Sequence, residues 1–496
     1  MSNNSIERPL ATIARAGVFV LLSSSIAYAL KFVSRVLLAR FLGPIGFGQF
    51  SVGMAIYALL TLVAGLGIPI AVTKLIPAAR ARGRDPKYPA SVALFATVLS
   101  STVVMFLAVV SLDWLAHAFN VPTSVIVPFV LVIVFDLALS TLRSISIGYG
   151  DVWVQVWLTD IGLALLYLVL VAGSSIVFGS PVATAYAFFI SVLFLALIAL
   201  TYCIRNGYVS AVVPDPASLC SIVRYSLPFL VMSVSGLVFT WTDSLIIAHF
   251  LNAAAVGLYR SAATLVRVVT FVVSAITVLF LPVASSLYAK GDFNALTRVY
   301  TQVLRWIAVV SAPISVLLVL FGRQALYYLF GSEFLAAYPV LVILTVFWFF
   351  IYLFSVSNQM LIAVGQQKRV SISLLLAAVA NVVLDIVAVR PLGIAGVALA
   401  TGVSLLVANL YFFFCLWKAR IRADPRAFLA PIAVAAASAV PVWVIAKYLS
   451  GVPAIVIGLC MYSALYMLLV LSFRILKVSE VMKLLDILRG STTSLK

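Results

Sequence analysis

The chain has 496 residues, 65% of them hydrophobic and 9% charged, with a mean hydropathy of +1.22 and a formal net charge of +18. Soluble domains carry about 25% charged residues, so too little polar surface is present for a water-soluble fold of this length, and lipid is the solvent for most of it. The positive residues lie in short segments between apolar runs, which suits membrane topology and not a nucleic-acid interface.

A spanning helix needs about 20 mostly apolar residues. Read against charged and Pro/Gly punctuation, the sequence predicts spans at 17–39, 45–70, 89–111, 123–147, 153–178 and 181–203. The segment 204–223 then breaks the pattern with Arg205-Asn206-Gly207 and Pro214-Asp215-Pro216, which is loop chemistry. Further spans follow at 224–247, 255–281, 303–322, 337–363, 370–389, 394–417, 428–446 and 453–473, giving an all-α polytopic membrane protein of about 14 transmembrane helices. On this reading 24 of the 32 Lys and Arg residues fall on one side, and only Arg40, Arg323, Arg390 and Lys447 on the other. The positive-inside rule makes the rich side cytoplasmic, with both termini inside a cell (inner or plasma) membrane. Arg8, Arg15 and Ala27-Tyr28-Ala29 imitate a signal peptide, but the apolar stretch between them belongs to a full-length first span. The expected organisation is an N-lobe at 1–203, a cytoplasmic linker at 204–223, a C-lobe at 224–417, two further spans within 418–475, and a basic, mildly amphipathic tail at 476–496 along the inner surface.

A short repeat supports two lobes. Ala39-Arg40-Phe41-Leu42 matches Ala248-His249-Phe250-Leu251 at an offset of 209, and Gly48 meets Gly257 at the same offset. Six helices separate the copies, and an even number preserves direction, so the halves are expected to be parallel pseudo-symmetric six-helix repeats.

The residues now carry a family resemblance. Ser34 to Pro44 with Gly46-Phe47-Gly48 resembles the opening of polysaccharide-biosynthesis flippases, the Wzx-type translocases related to the lipid II flippase and to multidrug MATE exporters. Asp243 to Tyr259, Leu281-Pro282 with Gly291-Asp292, and Asn381 to Asp385 with Gly393-Ile394-Ala395-Gly396 extend the resemblance over roughly residues 15–475. It implies a central cavity lined by spans 1, 2, 7 and 8, and an outward-flipped substrate: an oligosaccharide on a polyprenyl-phosphate-type lipid.

Charges inside spans are costly and are functional candidates by default. Lys31 and Arg35 lie one turn apart on one face of span 1, and Arg260 and Arg267 two turns apart on one face of span 8. The resemblance places basic side chains of these spans in the cavity, where they would bind the anionic lipid phosphate; Arg offers a planar fork to phosphate oxygens. Arg35 and Arg260 could equally reach headgroups, and Lys31 and Arg267 could have purely structural partners such as Asp243. Asp136, Asp243 and Asp385 are candidates to couple transport to H⁺ or Na⁺, with Asp160 a further acid in span 5. The alternative for these acids is ion pairing that fixes packing, Asp136 with Arg143 or Asp243 with Arg260. Asn381, Asn409 and Ser23-Ser24-Ser25 read as interhelical hydrogen-bonding groups, and His249 as structural. Cys203, Cys220, Cys415 and Cys460 show no metal or disulfide spacing.

No phosphate-binding glycine loop, zinc motif or nucleophile with its base is present, so no catalytic residue, metal or cofactor is expected. The partners expected are the lipid bilayer, the lipid-linked substrate, a coupling ion and glycan-assembly proteins. The first function expected is a lipid-linked oligosaccharide flippase. A multidrug cation antiporter of the same superfamily is the alternative, with a membrane-embedded glycan polymerase or ligase behind it; the candidate cations favour the flippase.

Overall fold

The computed structural model describes residues 4–212, 214–277, 280–446 and 451–476. The expected amphipathic tail beyond 476, and Lys447, lie outside the described residues. Every regular element among those described is a helix. Among the described residues, ten helices are long and apolar enough to cross a membrane, and eleven when Pro216–Leu230 and Ser233–Phe250, bent by 53° at their junction, count as one broken span.

Two of these helices are too long for one crossing. Helix α1 (Asn4–Gly65) holds 62 residues, a rod of about 93 Å at ~1.5 Å per residue, against a hydrocarbon core of about 30 Å. It is interrupted at Gly43, whose φ of 65° and ψ of 178° fall where only glycine is at ease. Pro44 follows and donates no backbone hydrogen bond. The predicted spans 17–39 and 45–70 therefore lie on the two helices that meet at this break, the second of which ends at Gly65 before α2 begins at Ile68. The predicted spans 370–389 and 394–417 share a 52-residue helix in the same way, interrupted at Gly393 (φ 59°, ψ −142°) shortly after Pro391.

The chain forms two compact units. The first comprises Met1–Thr264, Leu329–Ala337 and Leu374–Thr401. It contains α1, α2 (Ile68–Ala81), α3 (Lys87–Val110), the short α4 (Leu112–Phe119) and α5 (Thr123–Tyr149). Next comes a rod in which π-helical stretches Val154–Gly162 and Tyr167–Ala172 alternate with α6 (Leu163–Leu166) and α7 (Gly173–Phe178). α8 (Pro181–Arg205) and α9 (Pro216–Leu237) follow, each opened by a capping side chain and a proline in the first turn. Ser180 caps the first and Asp215 the second, accepting from otherwise orphaned backbone N–H groups. A π-helical turn, Val238–Thr242, leads into α10 (Asp243–Phe250) and α11 (Ala253–Thr277).

The core of this unit is aromatic at its centre. Phe50 and Phe129 meet edge-to-face at 5.2 Å, and Phe188 lies 5.9 Å from Phe129. Gly53 makes room for that cluster, because a Cβ there would sit 2.3 Å from the Phe129 ring. Ile68, Val72, Ile76, Leu142, Ile145 and Cys203 belong to a second apolar cluster. The two copies of the repeat pack directly on each other: a Cβ on Gly48 would lie 1.7 Å from the Ala253 carbonyl oxygen, and one on Gly257 would lie 2.1 Å from that of Pro44. His249, read as structural, places Nδ1 2.7 Å from the Ala118 carbonyl oxygen, next to a bond from Asn120 Nδ2 to the Ala248 carbonyl.

The second unit comprises Leu265–Tyr328, Tyr338–Ser373 and Gly402–Lys496. It takes the rest of α11, α12 (Phe280–Ala289), α13 (Phe293–Ala325), α14 (Tyr338–Ala363), the later part of α15 (Gln367–Lys418), α16 (Arg426–Ala446) and α17 (Gly451–Ser472). Here the buried hydroxyls of Tyr462 and Tyr466 donate to the carbonyls of Ala435 and Val309, tying α17 to α16 and α13. Each bond satisfies a polar group that hydrocarbon could not.

Candidate functional site

The sequence pattern that places Asp243 is a widened helical turn. Residues 238–242 are π-helical, and such stretches are frequent at functional sites because they re-aim the side chains that follow. Asp243 is the next residue, opening α10, and it is 4% exposed. Asn381 and Asp385 sit four apart on α15 and therefore share a face. The chain then breaks at Gly393 and returns, bringing Thr401 alongside them.

These residues form one buried cluster within the first unit. Asp243 Oδ2 accepts a short bond from the Tyr259 hydroxyl, and Oδ1 accepts from Thr401 Oγ1 at 3.2 Å. Asn381 Nδ2 donates to Asp385 Oδ2 at 3.0 Å and to Thr401 Oγ1 at 3.1 Å. The Asp243 and Asp385 carboxyls lie within hydrogen-bonding reach of each other. Asn381 Oδ1 and Asp385 Oδ1 are buried acceptors with no donor. Carboxylates have acceptors only, so two in contact require a cation between them, either a proton or a hard metal ion that takes oxygen ligands.

Arg260 stands beside this cluster. It is 7% exposed, its Nε donates to Ser244 Oγ at 2.5 Å, and its guanidinium lies 4.2 Å above the Trp241 ring. It also exerts an attraction on Asp243. That burial separates Arg260 from the alternative in which it reaches out to lipid headgroups.

A second group of charges gathers on α1, also within the first unit. Lys31 and Arg35 are half-buried. Lys31 is attracted by Asp160 and by Asp136 and repelled by Arg35 and Arg143. Asp136 takes a hydrogen bond from the Tyr57 hydroxyl and lies with this group, whereas Asp243 and Asp385 lie with each other. Asp160 accepts from Ser23 Oγ at 2.9 Å and from Ser24 Oγ at 3.1 Å, so two of the three serines read as interhelical glue hold a carboxylate. Arg267 is half-buried and belongs to the second unit.

Sequence reasoning named Asp243, Asp385 and Asn381 but missed Thr401 and Tyr259. Tyr259 was visible as the sixteenth residue after an intramembrane Asp, a spacing with no meaning until the turn at 251–252 folds one helix on the next. Thr401 carries no signal, being one hydroxyl among many in apolar sequence. The i,i+4 spacing of Asn381 and Asp385 was the available clue to a shared site.

A sequence model of the family described as "polysaccharide biosynthesis protein" matches residues 13–288, and one described as "lipid II flippase MurJ" matches residues 158–473. A "probable low-salt glycan biosynthesis flippase Agl15" of Haloferax volcanii is 22% identical over 399 residues, covering 80% of this chain and 81% of the relative. An uncharacterized membrane protein of Methanocaldococcus jannaschii is 22% identical over 198 residues, 40% of this chain and 38% of that one. Among solved structures, an inward closed conformation of the lipid II flippase MurJ superposes with a TM-score of 0.78 at 14% identity, covering 92% of this chain and 98% of that one. An inward-facing multidrug MATE transporter gives 0.63 at 17% identity, over 81% and 97% of the respective chains. At these identities the structural likenesses establish the fold.

Proposed function

From the premise that this chain belongs to the polysaccharide biosynthesis protein family, among the lipid-linked oligosaccharide flippases of the MurJ and MATE-like superfamily, we propose that it moves a polyprenyl-(pyro)phosphate-linked oligosaccharide from the cytoplasmic to the outer leaflet by alternating access. It is a multi-pass membrane transporter and not an enzyme. Fourteen crossings follow if each of the two interrupted long helices crosses twice and the bent pair and α11 each cross once. The proposed frame then has two parallel lobes, N-lobe and C-lobe, and cytoplasmic termini.

The observation that carries the reading is the pair Lys31 and Arg35, two cations one turn apart on a helix of the transmembrane region. A charge at such depth costs about 2.5–3.5 kcal/mol on insertion scales, and an anionic phosphate headgroup would offset that cost while itself gaining a path across hydrocarbon. Arg260 is proposed as a further phosphate-binding cation of the first unit, and Arg267 as one of the second. Lys31→Glu, made in a strain that depends on this protein for surface glycan, tests this. Export should fall at least tenfold at unchanged protein level; normal export would remove Lys31 from the route.

We infer further that Asp243 and Asp385 hold the coupling cation, H⁺ or Na⁺, with Asn381 and Thr401 supplying the remaining oxygens. The donorless Asn381 Oδ1 and Asp385 Oδ1 support this reading. Asp136, bonded to Tyr57 near Lys31, is proposed as a further coupling carboxyl. The acidic cluster also suits the second reading, a multidrug cation antiporter. Under that reading loss of the protein sensitises cells to cationic drugs and leaves surface glycan intact.

A further inference from the structure

Asp160 lies in the π-helical stretch Val154–Gly162, where each hydrogen-bonded turn encloses one residue more than in an α-helix. Its Oδ2 receives two hydroxyl donors from α1, Ser23 at 2.9 Å and Ser24 at 3.1 Å. Ser24 and Lys31 are seven residues apart on that helix and so share a face. The two serines thus fasten a carboxylate against the face of α1 that carries Lys31, followed one turn on by Arg35. The other charges around Lys31 are Asp136, Arg35 and Arg143. Two serine bonds on one carboxylate oxygen are a costly use of hydroxyls for mere packing, since either hydroxyl can bond its own helix.

We propose that Asp160 is the resting counter-anion of Lys31 and sets the selectivity of the phosphate route by competing with every anion that approaches it. This rests on the reading of Lys31 as a phosphate-binding residue. The cytosol is rich in free phosphates, and a bare cationic site would be occupied by them. A tethered carboxylate weakens the binding of all such anions. A ligand anchored in the same leaflet by its lipid reaches the site at high effective concentration and displaces the carboxylate where a free anion does not. Asp160 is therefore a specificity-determining residue that acts through Lys31 and need not touch the saccharide.

The test uses the full chain in lipid nanodiscs and inorganic pyrophosphate as probe, with folding checked by thermal melting. Asp160→Asn and Asp160→Ser should each tighten pyrophosphate binding at least tenfold, whereas Asp160→Glu should bind as the unaltered chain does. The gain should vanish in Asp160→Asn combined with Lys31→Ala. Binding that requires Lys31 yet is unchanged by both neutral substitutions overturns the counter-anion and leaves the phosphate site standing. A gain that survives loss of Lys31 also overturns it. Absence of pyrophosphate binding in every variant overturns the phosphate reading of Lys31 and this inference with it.

Discussion

Gly48 and Gly257 hold equivalent positions in the two copies of a repeat, and each lies against the backbone next to the other. Added Cβ atoms would meet main-chain oxygens at 1.7 Å and 2.1 Å respectively. Side chains can turn aside from a new methyl group; a helix backbone cannot. The repeat thus marks a place where two helices approach as closely as peptide groups permit, the kind of contact that small residues allow in membranes.

Gly48→Ala should push these helices apart. Overpacking costs about 1–3 kcal/mol, and more where backbone must move. Scaling the per-residue unfolding entropy to this chain length gives roughly 1 °C per kcal/mol, so the melting temperature should fall by about 1–3 °C. Gly173→Ala is the control, because nothing lies within 4 Å of a Cβ there; it should leave melting unchanged or raise it slightly. Equal melting of the two variants would contradict the close approach.

Asp385→Asn should abolish gradient dependence. In proteoliposomes with an imposed H⁺ or Na⁺ gradient, substrate movement is expected to drop at least tenfold and to lose its response to the gradient. Asp243→Asn should behave alike. Tyr259→Phe removes only a donor to Asp243 and should cost about 1–3 kcal/mol of stability while preserving the gradient response. An Asp385→Asn variant that still follows the gradient would move coupling elsewhere, with Asp136 the next carboxyl to replace.

The start of α9 supplies a pH prediction outside the membrane. Asp215 accepts from Ser218 Oγ at 2.6 Å, from the Ser218 N–H at 3.1 Å and from the Tyr88 hydroxyl at 2.8 Å. These donors, the Ser218 hydroxyl foremost, hold its carboxyl down at about 2. A depressed value means that the folded state binds fewer protons, so the contribution is complete above the ordinary carboxylate value near ~4 and is lost as pH falls through about 2. Limited proteolysis of the segment 206–215 between α8 and α9 should therefore be flat from pH 8 to roughly 4 and rise below it. Asp215→Asn should raise cleavage at neutral pH and flatten the acid rise. A rise beginning already between pH 7 and 5 would show that another group governs the linker.

Composition alone dictated a helical membrane protein, because polar surface cannot be hidden in an average. That the chain holds about ten long apolar helices was equally legible, since a run of about twenty apolar residues has few alternatives. Less legible was that 17–39 and 45–70 are joined by a single non-helical residue, because Gly43-Pro44 reads as an ordinary loop signal. The site was legible in part. Asp243 and Asp385 stand out as charges in apolar sequence, but their meeting depends on contacts across more than a hundred residues, which no local pattern encodes. Asp160 was noticed as an acid and left out of the coupling set. Its partners, Ser23 and Ser24, look like any serine pair in a membrane helix until the π-helical stretch brings the carboxylate to them.

Those widened turns at 154–162 and 238–242 bear on how the chain is lined up with its relatives. Each accommodates a residue that a regular helix of the same length would not contain. A relative lacking one of them has to be aligned with a one-residue gap inside an otherwise unbroken span. Without that gap, the residues downstream are matched about 100° out of phase around the helix axis, and the acids at 160 and 243 are paired with neighbours that face a different way.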